Sequence, residues 1–257
     1  MITFSEAQIL AWVTPLVWPF LRALALFQAL PVLGTRNVPM QVRIALAGFI
    51  ALAAQATLPA LSPEIANTPL DAPLSLLLAA QQAVIGLSLG FAVRLVFAAV
   101  EFAGEIIGLQ MGLNFAGFFD PLSASTATAT SRFFGTTVAW LFVVMGGHLL
   151  VIGALVQSFL SFPVGPEPFA FLRTMQPQHW GAEIFSTGLW IALPLVTMLL
   201  FVNLVLGTIS RVAPQINVFA VGFPVTLGVG LLGLLMTLPM MEAPFTMALE
   251  RLLVHFR

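Results

Sequence analysis

A chain of 257 residues in which 60% are hydrophobic and 7% charged, with a mean hydropathy of +1.04, is not a soluble globular domain, because such domains carry roughly 25% charged residues; lipid must be the solvent for much of it. Nine basic residues, all Arg, stand against ten acids for a net charge of −1, and without a basic patch nucleic-acid binding has nothing to rest on. The absence of Cys removes disulfides, thiolate metal sites and a Cys nucleophile.

Six apolar stretches reach or approach the roughly 20 residues that a spanning helix needs: 8–33, 44–61, 74–100, 133–161, 184–209 and 217–240. The expected fold is all-α, a polytopic integral membrane protein of about six apolar helical segments arranged as helical hairpins, with a Gly/Phe-rich loop between the third and fourth. The first stretch lacks the order of a signal peptide. Glu6 stands where a basic region belongs, Arg22 lies inside the apolar run, and Pro15 and Pro19 interrupt it, so the stretch is read as retained.

The connectors carry turn chemistry. Gly34-Thr35-Arg36-Asn37-Val38-Pro39 is followed by the acidic, Pro-rich 62–73, by a stretch opening at Phe162-Pro163, and by Ser210-Arg211-Val212-Ala213-Pro214. Arg36, Arg43, Arg94, Arg132 and Arg211 would share one side of the membrane, against Arg173, Arg251 and Arg257 on the other. That bias favours the cytoplasm for the first group. Thr35-Arg36-x-x-Pro39 and Ser210-Arg211-x-x-Pro214 echo each other. Two hairpins with similar tips would explain the echo, and so would chance, since Arg and Pro both favour loops.

Residues 101–132 do not read as a lipid-facing span. Gly104, Gly108 and Gly112 recur every fourth residue, and on a helix they form one smooth stripe that lets another backbone approach. Gly117 leaves that register, and Asp120-Pro121 stops any helix. Irregular backbone at membrane depth survives only when buried in protein or lining a cavity. With Phe115, Phe118 and Phe119 for bulk and glycines for freedom, the stretch suits a movable hydrophobic obstruction; an amphipathic connector whose Phe residues fill a core is the other reading. The small polar run 123–131 is expected to face water.

Arg94 interrupts the third apolar stretch, with Glu101 seven residues on. A charge at membrane depth marks a function or a buried pairing, unless Arg94 sits near a helix end and snorkels. Arg22 poses the same question, with no acid nearby in sequence. Gly86-Leu87-Ser88-Leu89-Gly90 matches the G-x-S-x-G string of serine hydrolases, which requires a strand, a strained turn and a helix. In a continuous apolar run it reads instead as a GxxxG packing pair. His148, His179 and His255 lack metal-ligand neighbours, and no Walker, HExxH or dinucleotide fingerprint occurs. Neither enzyme activity, metal nor cofactor is expected.

Three ordered motifs carry a resemblance. They are Arg36-Asn37-Val38-Pro39 with Arg43, then 108–115 (GLQMGLNF) with Asp120-Pro121, and 211–224 (RVAPQINVFAVGFP). Together they resemble the FliR family of type III export-gate subunits, related to the SctT subunit of virulence-type secretion systems. The resemblance implies a structural and gating subunit in the bacterial inner membrane, at the flagellar basal body. It would assemble with FliP and FliQ into the gate through which unfolded flagellar proteins leave the cytoplasm, with FlhB and FlhA associated. It also implies that residues 106–122 contribute a plug, that 1–183 pack like FliP, and that 184–257 resemble the FliQ hairpin. In that picture Phe115, Phe118 and Phe119 pack across the lumen. Gly108, Gly112 and Gly117 let the loop shift, and Gln110 and Asn114 hold it closed. Such gates can be assembled largely above the membrane plane, so six is a count of apolar segments rather than of lipid crossings. The alternative class is a small-solute or ion-coupled secondary transporter, supported by the broken apolar segment and Arg94. It lacks paired intramembrane carboxylates and a half-to-half repeat.

Overall fold

The computed structural model describes residues 6–35, 37–59, 61, 62, 65, 68, 69, 72–113, 128–165, 171, 177–215 and 217–256. Among these residues the regular structure is helical, with no strand. In chain order the helices are α1 (Glu6–Ala29), α2 (Met40–Ala54), α3 (Pro73–Gln110), α4 (Ala129–Val144), α5 (Gly147–Ser161), α6 (Pro177–Val212), α7 (Val218–Thr237) and α8 (Glu242–Leu253), with 3-10 turns at Leu238–Met241 and Val254–Phe256.

Each of the six apolar stretches holds helix, but their bounds differ from the sequence reading. Three stretches among the described residues are long and apolar enough to cross a membrane: Pro73–Gln110, Trp180–Val212 and Ala220–Phe256. A fourth exists if α4 and α5 form one broken span. The break is chemical: Gly146 takes φ +70°, a left-handed conformation that costs Gly almost nothing and other residues much more. The second stretch is helical only to Ala54, and its 15 residues are too few to span. Pro15 and Pro19 do not end the first, because α1 runs through both. α8 lies beyond the last of the six stretches read from the sequence and is amphipathic. Its buried residues Phe245, Ala248, Leu249, Leu252 and Leu253 repeat at three and four, between Glu242, Glu250 and Arg251.

The chain divides into two compact units. One comprises Met1–Arg94, Gly146–Trp180 and Glu250–Arg257, the other Leu95–Met145 and Gly181–Leu249. In the first, α1 and α3 pack backbone to backbone. A Cβ on Gly86 would run into the Arg22 carbonyl oxygen and come within 2.9 Å of the Ala25 Cβ, and one on Gly90 would lie 2.6 Å from the Ala29 Cβ. The GxxxG pair is therefore a helix contact, and Ser88 sits in mid-helix without the strand and turn of a nucleophile elbow. An aromatic cluster of Phe162, Phe171 and Phe256 adds to this unit, with ring centroids 4.9 and 6.1 Å apart.

In the second unit Phe97 of α3 stacks edge-on with Phe142 of α4 and Phe245 of α8. Gly188 of α6 lies against the Ala99 carbonyl and the Phe102 ring, while Gly233 of α7 receives Leu195 and Met198 of α6. α6 and α7 thus meet as a hairpin at the Gly233 notch.

Candidate functional site

The site the sequence points to is the end of α3 and the stretch of chain just beyond it. Gly108 is buried in the last turns of α3, and Gln110 is its final, half-buried residue. The expected three-glycine stripe is only two residues long. The Met111 N–H still bonds the Ile107 carbonyl at 2.9 Å, but Gly112 takes φ +79°. A glycine in this conformation just past a helix end is the usual C-terminal stop. Gly112 therefore ends the helix instead of extending its smooth face. Gly104 does what the stripe implies. A Cβ there would lie 3.0 Å from both the Ser131 Cα and the Thr130 carbonyl oxygen, and 2.9 Å from the Phe134 ring. Asn114, Phe115, Gly117, Phe118, Phe119, Asp120 and Pro121 lie outside the described residues.

The chain returns at Thr128, whose hydroxyl accepts from the Ser131 N–H at 3.1 Å and caps α4. The end of the small polar run departs from expectation, because Thr130 and Ser131 are buried. Small side chains are what allow α4 to start against Gly104.

The described residues of the two Arg-x-x-Pro echoes sit in different local settings. Arg36 is outside the described residues, and Pro39 is exposed immediately before α2. Arg211 is still in the last turn of α6, and Pro214 is an exposed turn residue four positions before α7. Thr35 lies well past its helix, whereas Ser210 is helical, with its hydroxyl donating to the Gly207 carbonyl at 2.7 Å.

Arg94 and Glu101 are exposed on α3. Arg94 is not near a helix end, since α3 continues to Gln110, roughly 24 Å further at 1.5 Å per residue. Gly135 leaves room for the Glu101 carboxylate, as a Cβ there would lie 2.9 Å from Oε1.

Two arginines are buried among the described residues, Arg22 and Arg43, and Arg22 is completely inaccessible and held by neutral acceptors. Its Nε donates to Gln82 Oε1 at 2.8 Å, one terminal nitrogen to Ser158 Oγ at 2.9 Å and the other to the Phe162 carbonyl at 2.8 Å. Its guanidinium carbon lies 3.7 Å from the Phe159 ring centroid, a cation–π contact. One planar fork thereby ties α1 to α3, α5 and the chain leaving α5. Arg43 does similar work locally, donating to Gln28 Oε1 at 2.7 Å and to the carbonyls of Thr35 and Val38, which braces the α1–α2 turn. The anomaly of Arg22 is visible in the sequence. Its acceptors, up to 140 positions away, are not.

Residues 13–252 match the model of the family described as bacterial export proteins, family 1. The chain is 42% identical over 245 residues to the flagellar biosynthetic protein FliR of Escherichia coli (strain K12), spanning 95% of this chain and 92% of that one. It is 40% identical over 245 residues to the flagellar biosynthetic protein FliR of Pectobacterium carotovorum subsp. carotovorum, with the same coverage. To that of Bacillus subtilis (strain 168) it is 31% identical over 230 residues, 84% of this chain and 83% of the other.

Proposed function

We propose a role on one premise: the chain belongs to the FliR family of bacterial export proteins and is a membrane-embedded subunit of the flagellar export apparatus. In our reading it is a structural and gating subunit of the inner-membrane export gate, a multi-pass protein of the basal body. It builds the export channel with FliP and FliQ homologues, and FlhA and FlhB associate on the cytoplasmic side. Unfolded flagellar proteins are the cargo, and no covalent chemistry is involved. Residues 106–122 act as a plug, in which a hydrophobic seal blocks water and ions yet yields to a passing chain. Residues 1–183 take the place of a FliP-like part and 184–257 of a FliQ-like part.

The observation that carries this reading is the uncovered apolar surface of α6. Only 22% of its most apolar 18-residue stretch is buried, against 61% in α3. The stretch Trp180–Val212 has 33 residues, about 50 Å of helix, whereas a hydrocarbon core is about 30 Å thick. Fitting it inside would take a tilt of more than ~50°, beyond the 0–40° that spanning helices adopt. A single crossing leaves part of this helix outside the hydrocarbon, and in our reading other apolar helices cover its uncovered face. Gly207 of α6 and Gly228 of α7 have open space where a Cβ would stand, and small residues of this kind let a neighbouring helix approach closely.

Co-purification of a tagged chain from its host in mild detergent tests the assembly. FliP and FliQ homologues are expected to come with it. A stable particle without them would overturn the gate reading and turn attention to a transporter built around Arg94 and Glu101. The plug is tested separately. Phe118→Ala with Phe119→Ala should raise ion leak through an assembled gate, and unchanged conductance in an intact complex would remove the plug role.

A further inference from the structure

Among the described residues of α7, the buried positions are Gly222, Thr226, Gly230, Gly233 and Leu234. They recur at three and four, so they form one stripe, and all but the last are small. Gly230 is the notch that bears on the loop. A Cβ there would lie 2.6 Å from Cγ, 2.7 Å from Cε and 2.8 Å from Sδ of Met111, so the side chain of Met111 wraps the bare glycine backbone. Met111 is itself fully buried. It is the last residue before Gly112 turns the chain out of α3.

We infer that Gly230 is a positioning residue for the plug loop: its missing side chain seats Met111, and the seat sets the point from which Gly112 launches the chain. This rests on the reading of residues 106–122 as the plug. The opposite faces of α7 carry exposed apolar residues, among them Phe223, Leu231, Leu232 and Leu235. A helix packing on those faces therefore acts on the end of α3 through this contact. An added methyl at 230 does not weaken α7, since Ala is a better helix former than Gly. Its effect falls on Met111, whose unbranched, adaptable side chain moves out of the notch.

The test is the ion conductance of the complete gate complex in planar bilayers, with subunit composition checked for each variant. Gly230→Ala and Met111→Ala should each leak severalfold more than the unmodified gate. Met111→Leu should close most of that gap by refilling the seat. The double variant Gly230→Ala, Met111→Ala should leak less than either single change, because the new methyl occupies room that Met111 vacates. The seat is disproved if the Phe118→Ala, Phe119→Ala gate leaks while Gly230→Ala conducts like the unmodified complex. Met111→Ala decides the matter if Gly230→Ala does not assemble. A double variant whose leak is the sum of the singles also disproves it, since independent defects add. If the Phe118→Ala, Phe119→Ala gate does not leak, the plug reading itself fails, and the inference fails with it.

Discussion

The packing around Arg22 and the α6–α7 hairpin solve the same problem in opposite ways. Both must hold apolar helices together where burial of apolar surface gives little preference for one partner over lipid. Around Arg22 the solution is polar: one buried guanidinium bonds Gln82, Ser158 and the Phe162 carbonyl, and each of those groups would be costly to leave unpaired. In the hairpin the solution is steric, with Gly233 receiving Leu195 and Met198 and most of the surface left uncovered. A polar node fixes one arrangement and tolerates no full substitute. Glycine notches fix only how close two helices come, and they leave the outer faces free for other chains.

The strongest way to break this comparison is at the polar node. Arg22→Leu strands Gln82 and the Phe162 carbonyl in a buried site and should lower stability by about 3 kcal/mol or more, read as thermal unfolding of the detergent-solubilised complex. Arg22→Lys keeps the charge but not the fork, so it should recover only part of that loss. Equal stability of Arg22→Leu and the unmodified chain would mean that the node is incidental. A smaller effect is expected at the steric contact beneath it. Gly86→Ala drives a methyl into the Arg22 backbone carbonyl, where the neighbour is rigid, and should cost about 1–3 kcal/mol as overpacking does. The same unfolding measurement checks it, and a neutral result would show that α1 and α3 separate without penalty.

The smallest effect sharpens the contrast most, because its sign depends on what is present. Gly228 has open space beyond it in this chain. In the isolated subunit Gly228→Ala should therefore stabilise α7 by about 0.5–1 kcal/mol, the ordinary helical advantage of Ala over Gly. In the assembled gate the same methyl should lower the yield of complex if a partner helix packs there. A gain in both states would identify that face as lipid-covered.

How much of this was legible in the sequence varies with the range of the interaction. The helical class, the position of each apolar stretch and the packing role of Gly86 and Gly90 follow from local composition and spacing. The helix break at Gly146 and the stop at Gly112 were written as glycines, yet a glycine alone does not say whether it serves a turn or a close contact. Gly104 and Gly112 belong to the same four-residue repeat and do different things. The seat for Met111 was missed because nothing near residue 111 announces Gly230. The plug roles of Asn114 to Pro121 rest on the family resemblance and on the Gly/Phe composition of the stretch, since these residues lie outside the described ones.

By itself, the sequence determined that the chain is a helical membrane protein and which family it joins, because hydropathy, helix period and ordered motifs are local properties that survive in any arrangement. The tertiary structure alone decided which arginines are buried, which glycines are notches and which are stops, and that Met111 rests on Gly230. Those depend on contacts between residues far apart in the chain, and helices of such uniform apolarity carry almost no pattern that says which face meets which neighbour.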